Sequence, residues 1–189
     1  MTNTAPVAVE APRAEIPTGA VRLLLGGRTH RIDGFLNVDL FEGEGVDIRT
    51  DASDLSMFKA GQVEEIYASH ILEHFSHLKT VDVLKEWRRV LKSGAKAFIS
   101  VPDFAAMVKL YEKCGLVEYI RNMLYGDQIY DLAYHYTIFT FPTLAAACAK
   151  AGFLDVKRLE RMPYGLNDCS TNVDTATLKP ISVSVEAIA

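Results

Sequence analysis

Residues 68–75 read ASHILEHF, which puts His70, Glu73 and His74 in the order H-x-x-E-H. On one turn of helix, histidines four positions apart face the same side. His70 and His74 could then bind one metal ion while Glu73 activates water, with His135 as a third ligand. The same imidazoles suit proton transfer, because an unperturbed pKa of about 6.5 leaves them largely neutral at pH 7. A purely structural account also exists: Glu73 caps or salt-bridges locally while Ile71 and Leu72 pack inward. The neighbourhood of the motif decides among these.

That neighbourhood alternates strand and helix. AVRLLLGG (20–27) is an apolar run stopped by Gly26 and Gly27, which predicts a buried strand and a turn. FLNVDL (35–40) repeats the pattern and ends on Asp39 and Leu40. GVDIRTDASDL (45–55) predicts a third short strand, followed by Asp51 and Ala52. VEEIYAS (63–69) predicts a fourth, ending at Ser69. AKAFISVPDF (95–104) predicts a fifth, halted at Pro102, which has no donor for a central ladder. Between the last two, Val83, Leu84, Trp87, Val90 and Leu91 form one helical stripe, closed by Gly94. Further helices are predicted from Phe104 to Cys114 and over 141–152, with Pro142 in the first turn of the latter and Gly152 as its stop. FLDVKRLE (153–160) and ISVSVEAIA (181–189) alternate as strands.

Strands alternating with helices predict an α/β, Rossmann-like three-layer sandwich around a mostly parallel sheet. Ligands of such sheets bind outside the carboxyl ends of the strands. The H-x-x-E-H stretch starts at one of those ends. The match to the inverzincin zinc-protease signature therefore fails on context. Gly26 and Gly27, then Asp39, then Asp51 instead describe a nucleoside site: glycines admit a ligand to the backbone, and a carboxylate accepts from two ribose hydroxyls.

The bulk composition agrees with one globular domain over 20–189. Of 189 residues, 49% are apolar and 23% charged, and the net charge of -4 argues against a general nucleic-acid partner. Cys114, Cys148 and Cys169 are too scattered for a disulfide framework, so a cytoplasmic setting is expected. No apolar run is long enough for a membrane helix. The proline-bearing leader, 1–19, reads as a flexible tail.

LLLGGRTHRIDGFLNVDL, IYASHILEHF, LKEWRRVLKSGAKAFISVPDF and AGFLDVKRLE resemble the class I S-adenosylmethionine-dependent methyltransferases, in particular small bacterial predicted members. The resemblance spans about residues 20–161. It implies a seven-stranded sheet with an antiparallel last strand and S-adenosyl-L-methionine as cofactor. It also implies a methionine part near Gly26 and Gly27, ribose by Asp39 and Leu40, adenine by Asp51 and Ala52, and Ser69 and His70 beneath the transferring methyl. Two departures stand out. The family's glycine-x-glycine is Gly26, Gly27, Arg28 here, and the link between the first two strands is too short for a full crossover helix.

Methyl transfer requires alignment of a nucleophile with the methyl group, and a hydroxyl acceptor also requires a base. The candidate catalytic residues are His70, His74 and His135, the last in the aromatic-rich DLAYHYTIF, with Asp103 able to orient an acceptor. No metal is assigned. Small-RNA ribose methyltransferases do carry a similar Glu-x-x-Glu-His helix that binds one, and by that similarity Glu73, His74 and His135 form a metal-assisted variant. The expected acceptor is a small molecule or sugar hydroxyl, in biosynthesis. Its pocket would come from residues 104–145, the tail or a second subunit of a homodimer. The alternatives are a degenerate module that binds a partner or nucleoside, and another reaction of the same cofactor, such as cyclisation.

Overall fold

The computed structural model describes residues 16–172 and 180–189. Of the expected tail, residues 1–15 lie outside the described residues. Seven strands form a single sheet: β1 (Val21–Leu25), β2 (Leu36–Asp39), β3 (Ile48–Arg49), β4 (Val63–Ser69), β5 (Leu91–Pro102), β6 (Asp155–Leu159) and β7 (Ser182–Ile188). Their order is β3-β2-β1-β4-β5-β7-β6. The pairs from β3 through to β5 are parallel, while β7 runs antiparallel to both β5 and β6. The carboxyl ends of β1, β2, β3 and β4 thus lie along one edge, as the alternation predicts.

Four α-helices accompany the sheet: α1 (Thr80–Val90), α2 (Phe104–Cys114), α3 (Glu118–Tyr125) and α4 (Phe141–Lys150). α1 and α4 bury one face, where Trp87, Leu84, Leu144 and Cys148 pack on Leu23, Ile66 and Ile99. The opposite face carries Leu24, Tyr67 and Phe98. Its cover comes from Ile32 and Phe35 in the β1–β2 link, from Leu159 at the end of β6, and from Met162 and Leu166 after it. Residues 26–35 are too few to run a helix across that face, so irregular chain covers it.

The helix expected to close at Gly94 ends earlier, at Val90. Leu91 is already extended and pairs with Val63, which starts β5. Leu91 continues the apolar stripe, but its pairing across the sheet outweighs the local pattern. Gly94 sits at φ +78 within an irregular stretch of β5 and donates its N–H to Ala189 O at 2.8 Å. The third strand shrinks to two residues, and α3 was not expected. Among the described residues, no helix is long and apolar enough to cross a membrane.

Trp87 ties the core to the functional edge, because its Nε1 donates to Ala52 O at 2.8 Å from a fully buried ring. Trp87→Ala should cost about 3–5 kcal/mol of stability, the usual range for emptying an aromatic core position. Urea unfolding followed by far-ultraviolet circular dichroism measures this. A loss below about 1 kcal/mol would contradict the packing described.

Candidate active site

A cavity of about 240 Å³ opens at the carboxyl ends of β1 to β4. Five of the residues expected to meet a nucleoside line it: Gly26, Asp39, Leu40, Asp51 and Ala52. His70 and His74 line its other side. Gly27, Ser69 and His135 do not line it: the first two adjoin Gly26 and His70 in the chain, and the His135 ring packs against His74.

Each wall has a local cause. Gly26 has φ +68, and a Cβ there would stand 2.4 Å from Ile71 Cδ1, so the glycine lets the 70–75 turn close onto β1. Gly27 serves packing: a Cβ would meet Asn37 Oδ1 at 2.5 Å and Leu24 at 2.6 Å. Asp39 is buried, and its carboxylate accepts from Arg28 N and Phe41 N, both at 2.9 Å. Each oxygen holds one donor and keeps a lone pair for another. Asp51 Oδ1 accepts from Ser53 N and Ser53 Oγ, both at 2.7 Å. Ser69 ends β4 with its Oγ buried and unpartnered among the described residues.

The histidine motif is not the continuous helix turn expected. His70 has φ +52, a left-handed conformation uncommon for a side-chain-bearing residue, and only Leu72–His74 form a single turn of 3-10 helix. The two rings therefore have different partners. His70 Nε2 lies 2.8 Å from Ser182 Oγ, and its Nδ1 lies 3.2 Å from Glu73 Oε1. His74 Nδ1 donates to Tyr134 O at 3.0 Å. His135 Nδ1 donates to Met123 O at 2.9 Å, and its ring meets that of His74 edge-on at 4.8 Å. A carbonyl only accepts, so both Nδ1 atoms carry the proton and both Nε2 atoms keep a lone pair when neutral.

Glu73 sits among these rings with no exposure, and neither oxygen has a well-aligned hydrogen bond. His70 Nδ1 approaches Oε1 at 3.2 Å without meeting hydrogen-bond geometry. Burial pushes the Glu73 carboxyl up, but His70, His74 and His135 together outweigh it and hold the carboxyl below its ordinary value. His135 moves the other way for an imidazole: burial dominates the pull of Glu73 and lowers its pKa. Ligating atoms of Glu73, His74 and His135 all lie within 4.8 Å of one another, a spacing that could hold a cation.

Residues 33–99 match the family model described as a methyltransferase domain. No curated protein sequence matches at a significant level. Three solved structures share the fold. An S-adenosylmethionine-dependent methyltransferase of Archaeoglobus fulgidus has a TM-score of 0.59 at 16% identity, over 90% of this chain and 87% of that one. The 1,6-didemethyltoxoflavin-N1-methyltransferase of Burkholderia thailandensis, solved with its substrate and S-adenosylhomocysteine, scores 0.56 at 16% identity, over 90% and 71%. A Thermotoga maritima S-adenosylmethionine-dependent methyltransferase scores 0.53 at 18% identity, over 92% and 84%. The chain thus has the fold of class I S-adenosylmethionine-dependent methyltransferases and carries a methyltransferase-domain signature over residues 33–99.

The cavity has a roof that sequence reasoning missed. The Arg28 guanidinium lies over the Phe41 ring at 4.9 Å and the Tyr130 ring at 5.5 Å. Tyr136 N and Thr137 N donate to Glu73 O at 2.9 and 3.2 Å, so the aromatic stretch after α3 is bound to the histidine turn. Arg28 next to the two glycines was the available signal. Asp103, expected to orient an acceptor, instead caps α2 through Ala105 N and accepts from Arg158 at 3.0 Å.

The depressed His135 pKa fixes a pH dependence. The folded protein binds fewer protons at His135 than the unfolded chain, so stability is present above the ordinary value of 6.5 and is lost as pH falls through it. Glu73, also depressed, adds a second loss below its ordinary 4.5. The His135 imidazole should titrate below 6.5 in an NMR pH series, and Glu73→Gln should lower it further by removing the carboxylate that raises it. Titration above 6.5 would contradict the burial described.

Proposed function

We propose that this protein is an S-adenosylmethionine-dependent methyltransferase that methylates a hydroxyl of a small molecule or sugar, with His74 as the base. The observation that carries this is the His74 tautomer: Nδ1 is committed to Tyr134 O, which leaves Nε2 able to take a proton at a cavity that also bears Asp39. A cytoplasmic, biosynthetic role is part of the same reading, as is a single domain over 20–189 preceded by a tail.

S-adenosylmethionine supplies an electrophilic methyl group when bound. The residues present fit it. Asp39 would hold the ribose with its remaining lone pairs, assisted by Leu40. Asp51 and Ala52 would meet the adenine, and Gly26 and Gly27 would shape the turn under the methionine part. Ser69 and His70 would form the floor. His70 has both nitrogens engaged, so it orients Glu73 rather than taking the proton itself. His135 packs on His74 and holds its ring in place. The cavity is smaller than the roughly 300–1,000 Å³ of most ligand pockets, so the Arg28–Tyr130 roof would have to part on binding.

Asp39→Asn should weaken S-adenosylhomocysteine binding about tenfold or more, the scale of one hydrogen bond to a charged acceptor. His74→Ala should leave that affinity within about twofold and slow methyl transfer by about a hundredfold, as expected for loss of a positioned base. Calorimetry and single-turnover transfer to a hydroxyl acceptor found by screening check the two halves. Unchanged affinity in Asp39→Asn would contradict the first, and an unslowed His74→Ala enzyme the second.

One observation favours a metal-assisted form as the second reading: Glu73 is fully buried with unpartnered oxygens, and one ring nitrogen each of His74 and His135 lies within 4.8 Å of its carboxylate. Their backbone-held Nδ1–H groups match the outer-shell arrangement of metal-ligating histidines. Manganese at about tenfold its Kd should then stabilise the protein against heat, and Glu73→Gln should abolish that gain. No shift at millimolar manganese would exclude this form.

A further inference from the structure

A second and much larger cavity, about 1170 Å³, lies on the far side of His70. Its walls are one face of α2, the end of β6 with the chain that follows it, and the start of β7. Ser182 lines it and stands 2.8 Å from His70 Nε2, while His70 lines the smaller cavity. The two spaces thus meet at a hydrogen-bonded pair of side chains.

The larger cavity is cationic in a chain whose net charge is -4. Lys109, Lys113, Arg158 and Arg161 line it against Asp103 and Glu160. Asp103 is already committed to Arg158. Lys109 and Arg161 have no ion pair or hydrogen bond among the described residues, so two cations face this space uncompensated. Beside them Leu110, Met162, Leu166 and Ile181 form an apolar floor. The wall is tethered: Tyr67 Oη donates to Asp168 Oδ2 at 2.7 Å, and Asp168 Oδ1 accepts from Ser170 N at 2.8 Å. A cleft with tethered walls, an apolar floor and unpaired cations selects an anionic ligand with an apolar part.

We propose that the methyl acceptor carries a phosphate or carboxylate group, which Lys109 and Arg161 bind while the accepting atom reaches past Ser182 and His70 to His74 in the smaller cavity. The inference rests on the methyltransferase reading and adds the class of acceptor. It places the acceptor site largely on α2 and on the chain after β6.

The test uses the full chain, stripped of metal, with inorganic pyrophosphate and citrate as phosphate and carboxylate probes. Each is titrated by calorimetry with the protein alone and with S-adenosylhomocysteine present. At least one probe should bind in both conditions, with affinity falling as salt rises. The Lys109→Gln, Arg161→Gln protein should bind that probe about tenfold more weakly or worse, and Lys109→Glu, Arg161→Glu more weakly still. Unchanged melting temperature and S-adenosylhomocysteine affinity in both variants would show that fold and cofactor site are intact. Whichever probe binds names the group. No binding of either probe, or equal binding by the parent and both variants, would overturn the proposal. Intact S-adenosylhomocysteine binding in that case would leave the methyltransferase reading standing, whereas its absence from the parent would remove that reading separately.

Discussion

The burial of Glu73 is the constraint on which the functional edge depends. A carboxylate with no exposure is costly unless charge or hydrogen bonds replace its lost water. Here three imidazoles from two stretches of chain surround it. Each imidazole is held in turn by another element: His70 by Ser182 at the start of β7, His74 by Tyr134, and His135 by Met123 in α3. The Glu73 carbonyl binds the aromatic stretch as well. One buried charge thus gathers the β4 turn, the last strand and the roof of the cavity.

The sheet makes this possible by its order. β1 and β4 are neighbours, so the chain leaving β4 crosses directly over the glycine turn that ends β1. Gly26 gives Ile71 the space to do so. On the other side of β1, Asp39 closes the β1 and β2 ends by accepting two backbone N–H groups. The same carboxylate that shapes these turns keeps a lone pair on each oxygen at the cavity wall, so under the proposed function its structural and binding roles coincide. The antiparallel β7 then brings Ser182 to the back of His70, which places the larger cationic cleft against the smaller cavity.

Much of this was legible in the chain because it is local. α2 runs from Phe104 to Cys114 as expected, since Asp103 is a strong N-cap and the stop is a glycine, Gly115. The strand ends that carry Asp39, Asp51 and Ser69 were legible from apolar runs broken by polar residues. What was missed depends on contacts distant in sequence. α1 yields to β5 at Leu91 because Val63 pairs there. α3 hides because only Ile120 and Met123 are buried in it, among exposed tyrosines. The left-handed backbone at His70 breaks the spacing argument for His70 and His74, and no residue type announces it. The Arg28–Tyr130 roof joins positions 102 residues apart, and Asp103 meets Arg158 across 55. Neither pair leaves a local pattern.

The central claim is that the cavity bearing Asp39 and His74 binds the methyl donor. Calorimetric titration of S-adenosylhomocysteine into metal-stripped protein tests it most directly. The account predicts saturable one-to-one binding without added metal. Absence of binding at millimolar ligand, with or without magnesium or zinc, would contradict it.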